Sequence, residues 1–266
     1  MKKFLSVLLS VMLVLSMVGC GNGQEKEPVK EKPKDAKVLL EEATEKMEGI
    51  ADMDFSMLMD MNMEMAGETV AMQMEMGVQV QDQGKETMKM AMPMTMNMPS
   101  QGVTMEMNMY YTEGYYYMDM LGTKMKAPMD VAEMMEGMKD GTSAADISTD
   151  GMKELTLEEK EDTYVISFVG DTEKMLEYSK SVMESMQSMN GLESTDITLD
   201  DITGTITLDK EGHVKEQVVD MKMTMTVEGE AVATTVKTTI TYNSIGEGVT
   251  VELPDLSEYQ ETSLAQ

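Results

Sequence analysis

Methionine is the residue type with the greatest chemical potential in this sequence. The chain has 37 methionines in 266 residues, and most of them lie between Met53 and Met138. The thioether sulfur is a soft ligand that selects soft ions such as Cu(I) or Ag(I). The same flexible side chain also fills irregular apolar cores and ligand sites, and exposed methionines can scavenge oxidants. The residue type alone leaves these three roles open.

Groups for catalysis or for harder metals are scarce. His213 is the single histidine and stands in a predicted turn, where we expect it to face solvent. Zinc sites need cysteine or clustered histidine, and neither a GxGxxG nor a GxxxxGK phosphate loop occurs. Acid pairs such as Asp200-Asp201 are expected by composition in a chain with 49 acidic residues. We therefore predict a protein that is not an enzyme, with no cofactor and no metal site of His or Cys.

Cys20 is the only cysteine and follows a signal-peptide pattern. A short basic start precedes an apolar run over residues 4–18, which is short for a membrane-spanning helix of about 20 residues. The run ends in Met17-Val18-Gly19-Cys20, which resembles the lipobox read by lipoprotein signal peptidase. We predict a signal peptide over residues 1–19, a diacylglyceryl group on Cys20 and attachment to the extracytoplasmic face of the cell membrane. The alternative is a general secretory signal with an incidental cysteine.

The charge of the chain is strongly acidic, with a net charge of −28, and all 21 basic residues are lysines. This balance argues against nucleic acid as a partner, because phosphates favour a basic surface. It also disfavours binding to anionic headgroups, so the membrane partner is reached through the acyl chains on Cys20. Residues 20–34 are charged, contain Pro and Gly and have no apolar period, which predicts a disordered tether.

The hydrophobic periodicity changes once after the tether. Spacings of three and four predict an amphipathic helix over residues 35–50, with Asp35 as N-cap. From Met53 the apolar residues alternate with polar ones, which predicts half-buried antiparallel strands separated by turns. A second helix is predicted over residues 171–189 and a short helix or ordered loop over 130–139. The predicted strands cover residues 53–65, 70–80, 88–98, 103–111, 115–120, 153–158, 163–169, 197–208, 214–228, 231–242 and 249–253.

These elements predict an α+β domain over residues 35–256, followed by a tail over 257–266. Its fold class is a single curved antiparallel sheet, a half-barrel of about ten strands, with two or three helices on the concave face. Ten strands present a face of order 1,700 Å², whereas one 16-residue helix covers roughly 240 Å². Since the helices cover at most about half of the face, the sheet should curl and leave an apolar hollow.

Two segments carry a resemblance to a known family. The opening helix Val38-Leu39-Leu40-Glu41-Glu42-Ala43 runs directly into an alternating strand, and the chain ends with Ile240-Thr241-Tyr242-Asn243 and then Val249-Thr250-Val251-Glu252-Leu253-Pro254. This arrangement resembles the LolA and LppX-like lipoprotein carriers, and uncharacterised lipoproteins of Gram-positive bacteria. The resemblance implies a half-barrel around an apolar cavity, with acyl chains, lipoproteins or lipids as ligands. The density of methionine departs from the family.

The sequence thus favours a membrane-anchored lipoprotein that binds an apolar or amphipathic ligand, such as a lipid or a lipid-modified molecule. The rival from another class is a structural or protein-interaction lipoprotein with a solid core and no ligand, and binding of Cu(I) or Ag(I) is the third possibility. Tyr115, Tyr116 and Tyr117 could rim a cavity or pack in the core. Alternate positions along a strand share one face, and this alternation predicts which residues line the cavity. They are Met57, Met59, Met61, Met72, Met74, Met90, Met92, Met105 and Met107.

Overall fold

A computed structural model describes residues 35–262, apart from residues 133–148 and 177–196 and single positions 49, 66, 175, 228, 229 and 247. The described residues form one sheet of twelve strands. Their bounds are Met53–Met65 (β1), Glu68–Gln81 (β2), Lys89–Met98 (β3), Val103–Thr112 (β4), Tyr115–Met120 (β5), Thr123–Pro128 (β6), Met152–Glu159 (β7), Thr163–Gly170 (β8), Ile197–Asp209 (β9), Val214–Val227 (β10), Glu230–Ile245 (β11) and Gln260–Glu261 (β12).

Two meanders build the sheet. Strands β1 to β6 follow one another in chain order, and so do β7 to β11. The meanders join where β11 pairs antiparallel with β1, while β12 pairs parallel with β6 at the far edge. The predicted single curved sheet is confirmed; it is open and mostly antiparallel, and β12 is its parallel strand. The strand number is twelve instead of about ten, since the two short strands β6 and β12 were not predicted.

Helix α1, Ala36–Glu48, packs on one end of the second meander. Its first turn is capped as predicted, because the Asp35 carboxylate accepts a hydrogen bond from the Lys37 N–H at 2.8 Å. Leu40 and Ala43 are fully buried. They belong to a core cluster that also contains Leu39, Tyr164, Ile166, Phe168, Ile206, Leu208 and Val214.

Part of the predicted helical content lies outside the described residues. Among those described, α1 is the one complete α-helix, beside short 3-10 turns at Pro99–Gln101 and Thr149–Gly151. The predicted helix over 171–189 is described only at its start, where residues 172–174 are helical. The prediction of two or three helices on one face is therefore observed for α1 alone.

Proline cannot donate to a strand ladder, so Pro93 in the predicted strand 88–98 predicts a sheet edge or a bulge. Its strand β3 lies inside the sheet, between β2 and β4. The pairing of β2 with β3 keeps one register on both sides of Pro93. Met76 pairs with Met94 and Gln79 pairs with Ala91, and the residues between these two pairs are unpaired. Gly77 lies opposite, where an added Cβ would approach the proline Cγ to 3.3 Å. A short gap in pairing beside a glycine thus accommodates Pro93 within the sheet.

The C-terminal segment is more ordered than the sequence predicts. Residues 249–253 form no regular strand, although Val249 and Val251 are buried. Residues 257–262, expected to belong to a tail, include β12 and the buried Tyr259, which packs edge-on against Tyr117 with ring centroids 5.4 Å apart. These contacts place the segment on the outer side of β5 and β6.

Gly204 marks a close approach on the apolar face of β9. A Cβ at this position would lie 2.6 Å from the backbone oxygen of Val218 and would overlap the ring of Phe168. The ring therefore covers the glycine directly, which allows β8, β9 and β10 to pack closely at this point.

Candidate functional site

The apolar face of the sheet is organised in rungs of directly opposed residues. One rung crosses ten strands from β7 to β5 before it ends at the exposed Thr123 on β6. Opposed residues in an antiparallel ladder point to the same side, so the side chains of this rung share one face. In order they are Leu157, Ile166, Ile206, Gln217, Ile240, Met57, Met76, Met94, Met107 and Met120.

Exposure changes along this rung together with residue type. Ile166, Ile206 and Ile240 in the second meander are buried. From Met57 onward, on β1 to β4, the methionines are only partly buried, and Met120 on β5 is exposed. Methionine therefore occupies the part of the face that the described residues leave incompletely covered, while β-branched residues fill the sealed part.

A second rung repeats the arrangement one step along the strands. Val219 on β10 and Thr238 on β11 lead into Met59, Met74, Met96 and Met105 on β1 to β4. All of these side chains are partly buried. We use the name methionine face for the partly buried methionines on β1 to β4 of the two rungs and their neighbours, namely Met57, Met59, Met61, Met72, Met74, Met76, Met92, Met94, Met96, Met105, Met107 and Met109.

Eight of the nine methionines predicted from parity lie on the methionine face. Met90 is the exception, because it is fully buried in a second core cluster with Val78, Val80, Met88 and Tyr111. That end of the face is closed by partly buried side chains that include Met129 and Val131. Met76, Met94 and Met96 belong to the same rungs but are not among the predicted cavity residues. Their alternate positions along the strands would have placed them on the same face.

The register also places methionines of β1 and β2 directly opposite one another. Met57, Met59 and Met61 stand directly opposite Met76, Met74 and Met72 respectively. Cβ atoms of opposed residues lie about 4.5–5.5 Å apart, which lets flexible thioethers from two or three strands meet. The methionine face can therefore offer either a deformable apolar surface or converging soft ligands.

Two buried polar side chains interrupt the apolar face in the second meander, and sequence reasoning missed both. Gln217 on β10 is 5% exposed and Thr234 on β11 is 2% exposed. Gln217 Nε2 and Thr234 Oγ1 lack a hydrogen-bond partner among the residues that the structure describes. The alternation of the strand was the available signal, because residue 217 points to the same face as the apolar residues Val219 and Met221.

The tyrosines of β5 divide between the two faces. Tyr116 packs against the second core cluster on the apolar side, whereas Tyr117 contacts Tyr259 on the outer side. Burial raises the pKa of Tyr116 and Tyr117. The structure thus places Tyr116 and Tyr117 in packing roles, which was one of the two readings that the sequence left open.

His213 lies in the β9–β10 turn as predicted, but its ring is partly buried and lies beside two carboxylates instead of facing solvent freely. Its Nδ1 lies 3.3 Å from Asp209 Oδ2 and 3.7 Å from Glu211 Oε2. Asp209 Oδ1 accepts hydrogen bonds from the backbone N–H groups of Glu211 and His213 at 3.0 and 2.9 Å. Asp209 thus caps its own turn, and these three groups are the one His/Asp/Glu cluster of metal-binding geometry within the described part of the chain.

We expect this turn to weaken in acid. Burial alone would raise the pKa of Asp209, but hydrogen bonds from His213 and Glu211 outweigh it and hold that pKa below its ordinary value. A lowered folded-state pKa contributes stability above the unfolded pKa of about 3.9 that is lost as the pH falls through the folded-state value. Asp209→Asn should lower the free energy of unfolding by about 0.5–1 kcal/mol at pH 7 and by less at pH 3. Urea unfolding at both pH values tests this, with Asp162→Asn as a control for lost charge. An equal effect of Asp209→Asn at both pH values would contradict it.

The open curved sheet with one apolar face defines a half-barrel protein. Within this class the chain belongs to the family of unknown function DUF6612, whose model matches residues 35–257. A search of curated proteins gave no match.

Three solved structures show a distant likeness to this chain. LprF from Mycobacterium bovis is 12% identical over 82% of this chain and 96% of its own, with a TM-score of 0.42. Lipoprotein LppX of Mycobacterium tuberculosis is 12% identical over 82% and 100%, with a TM-score of 0.39. An outer membrane lipoprotein-sorting domain, assigned as putative, from Vibrio parahaemolyticus is 11% identical over 79% and 94%, with a TM-score of 0.27. LppX is a protein that the resemblance named, and nothing about the ligand follows from these likenesses.

Cys20 and the predicted signal peptide and tether lie outside the described residues. In the part of the chain that is described, no helix has the length and apolar character needed to cross a membrane.

Proposed function

We propose that this protein is a membrane-anchored, extracytoplasmic lipoprotein that binds an apolar or amphipathic ligand on its methionine face. It acts by binding, without catalysis. The ligand class is a lipid or a lipid-modified molecule, held by burial of its acyl chain against the thioether side chains. The acyl groups on Cys20 fix the domain at the membrane surface, where such ligands are found.

One observation carries the proposal: the ten-strand rung is buried on β8 to β11 and incompletely covered from β1 onward. The sealed part uses Ile166, Ile206 and Ile240, and the incompletely covered part uses Met57, Met76 and Met94. Contiguous apolar surface that stays accessible to water favours association with an apolar partner. Methionine suits that role because its flexible side chain adapts to ligands of different shape.

Native mass spectrometry of the mature lipoprotein, purified in detergent from its own membrane, tests this function. We expect an added mass that is released on denaturation and identified as a lipid. A bound soft metal would instead support the second candidate below. Neither lipid nor metal would favour the rival function, a surface lipoprotein that acts through a protein partner.

Loss of apolar contact on the methionine face should weaken the ligand. Met59→Ser with Met74→Ser removes one directly opposed pair, and each loss of about 30 Å² of apolar contact removes roughly 0.8 kcal/mol. We expect about tenfold lower affinity for a fluorescent probe with an ester-linked acyl chain. Leu58→Ser, one residue away on the opposite face, should leave the affinity unchanged. An equal loss for both proteins would exclude the methionine face as the binding surface.

Soft-metal binding is the second candidate, and the opposed methionine pairs on β1 and β2 are the observation that favours it. Thioether ligands select Cu(I) over harder ions. A Cu(I) titration of the purified protein under reducing conditions, against a competing chelator, tests this candidate. Binding no tighter than micromolar removes it. Tighter binding that the Met59→Ser/Met74→Ser pair lowers would place the ion on this face.

A further inference from the structure

Gln217 is the single polar side chain in the ten-strand rung from β7 to β5. Its rung neighbours are Ile206 on β9 and Ile240 on β11, both buried. Its Nε2 finds no acceptor among the residues that the structure describes. A buried amide without a partner destabilises the folded protein, so stability alone would favour an apolar residue at this position.

The apolar face is partly exposed one step along the strands from the buried Gln217. Val219 and Thr238 in the next rung are partly exposed, as is Tyr242 on the other side of Ile240. Met59 begins the methionine face on the second rung, where it lies opposite Thr238, and Thr238 lies opposite Val219; Met59 and Val219 are two strands or about 10 Å apart. A ligand chain that lies along this partly exposed rung from Met59 to Val219 passes beside the amide of Gln217.

We infer that Gln217 sets ligand specificity by donating a hydrogen bond from Nε2 to a neutral acceptor oxygen of the ligand. This inference rests on the proposed function. An ester carbonyl supplies such an oxygen beside an acyl chain, whereas a plain hydrocarbon supplies none. A carboxylate would have to leave water and lie beside Ile206 and Ile240, which carries a far larger desolvation cost than a neutral group. The amide thus selects ester-linked acyl chains over hydrocarbons and over free fatty acids.

Thr234 offers a matched comparison. It is as buried as Gln217 and its Oγ1 also has no partner among the described residues. It lies three rungs from Ile240 along β11, about 20 Å away. Thr234→Val therefore removes an unpartnered buried polar atom, as Gln217→Met does, but far from the predicted ester contact.

The experiment is a competition between methyl palmitate and nonadecane, which have equal numbers of non-hydrogen atoms. The mature lipoprotein is stripped of bound lipid in detergent and offered both, and their occupancies are read by native mass spectrometry. We expect Gln217→Met to reduce the preference for the ester about tenfold, the range of one completed buried hydrogen bond. The same change should raise the melting temperature of the ligand-free protein by about 3 °C. Thr234→Val should raise the melting temperature without changing the preference.

Unchanged ester preference in Gln217→Met, with both ligands still bound, overturns this inference and leaves the proposed function standing. Failure of the unmodified protein to bind either ligand rejects the proposed function itself. If Gln217→Met does not fold, Gln217→Leu makes the same comparison. Diacylglycerol and a diacylated lipopeptide, offered separately, distinguish a free membrane lipid from the lipid of another lipoprotein, and binding of either with the same dependence on Gln217 supports the inference.

Discussion

Replacing Cys20 with alanine should abolish acylation and cleavage of the predicted signal peptide. One acyl chain gives marginal attachment and two give stable attachment, so we expect the diacylglyceryl group to be the anchor of the processed protein. A net charge of −28 offers no compensating attraction to anionic lipids. The measurement is incorporation of labelled palmitate, together with the mass of the purified protein, which should begin at Cys20 in the unmodified chain.

Asn22→Ala is the matched control, because it changes a neighbouring residue of the tether and keeps the thiol. We expect it to be acylated and processed like the unmodified protein. The Cys20→Ala chain should carry no label and should retain residues 1–19, since the peptidase acts on the acylated cysteine. Equal labelling of both variants would contradict the lipoprotein assignment.

Leu40→Ala should produce the largest loss of stability. Leu40 is fully buried and packs with the cluster that joins α1 to β8 and β9. Truncating a buried leucine removes transfer free energy and leaves a cavity, which together cost about 2–5 kcal/mol. Urea unfolding of the non-acylated chain from residue 21 onward, followed by circular dichroism, measures the difference.

Val38→Ala, in the same turn of α1, controls for the helix itself. Val38 is 49% exposed, so its truncation should change the free energy of unfolding by no more than about 0.5 kcal/mol. A loss for Val38→Ala as large as that for Leu40→Ala would show that α1 contributes through its own helical stability instead of its packing on the sheet.

The local elements could be read from sequence because their signals are local. Alternation with period two located β1 to β5 and the β7–β8 hairpin, since successive strand side chains point to opposite faces. Spacings of three and four located α1, and the capping role of Asp35 followed from its position before the first apolar residue. The short strands β6 and β12 escaped prediction because two to six residues carry too little periodicity to be recognised.

Parity assigned most methionines to one face but could not assign their burial. Met57 and Met90 have the same strand signal, yet Met57 is partly buried and Met90 is fully buried in the second core cluster. Met90 belongs to a cluster against which side chains from another part of the chain, such as Met129 and Val131, also pack. Burial is a property of non-local contacts, so the boundary between core and candidate site was open until the tertiary structure placed those contacts.

The sequence by itself determined the strand phases and the opening helix, and it predicts lipid attachment at Cys20. Only the tertiary structure decided that β11 pairs with β1 and so joins the two meanders into continuous rungs. That pairing places Gln217 in line with Met57, although 160 residues separate them in the chain. The physical reason is that periodicity specifies which way a side chain points, whereas its neighbours across the sheet depend on which strands meet. The methionine face, and the amide that we expect to select its ligand, exist only because these two halves of the chain come together.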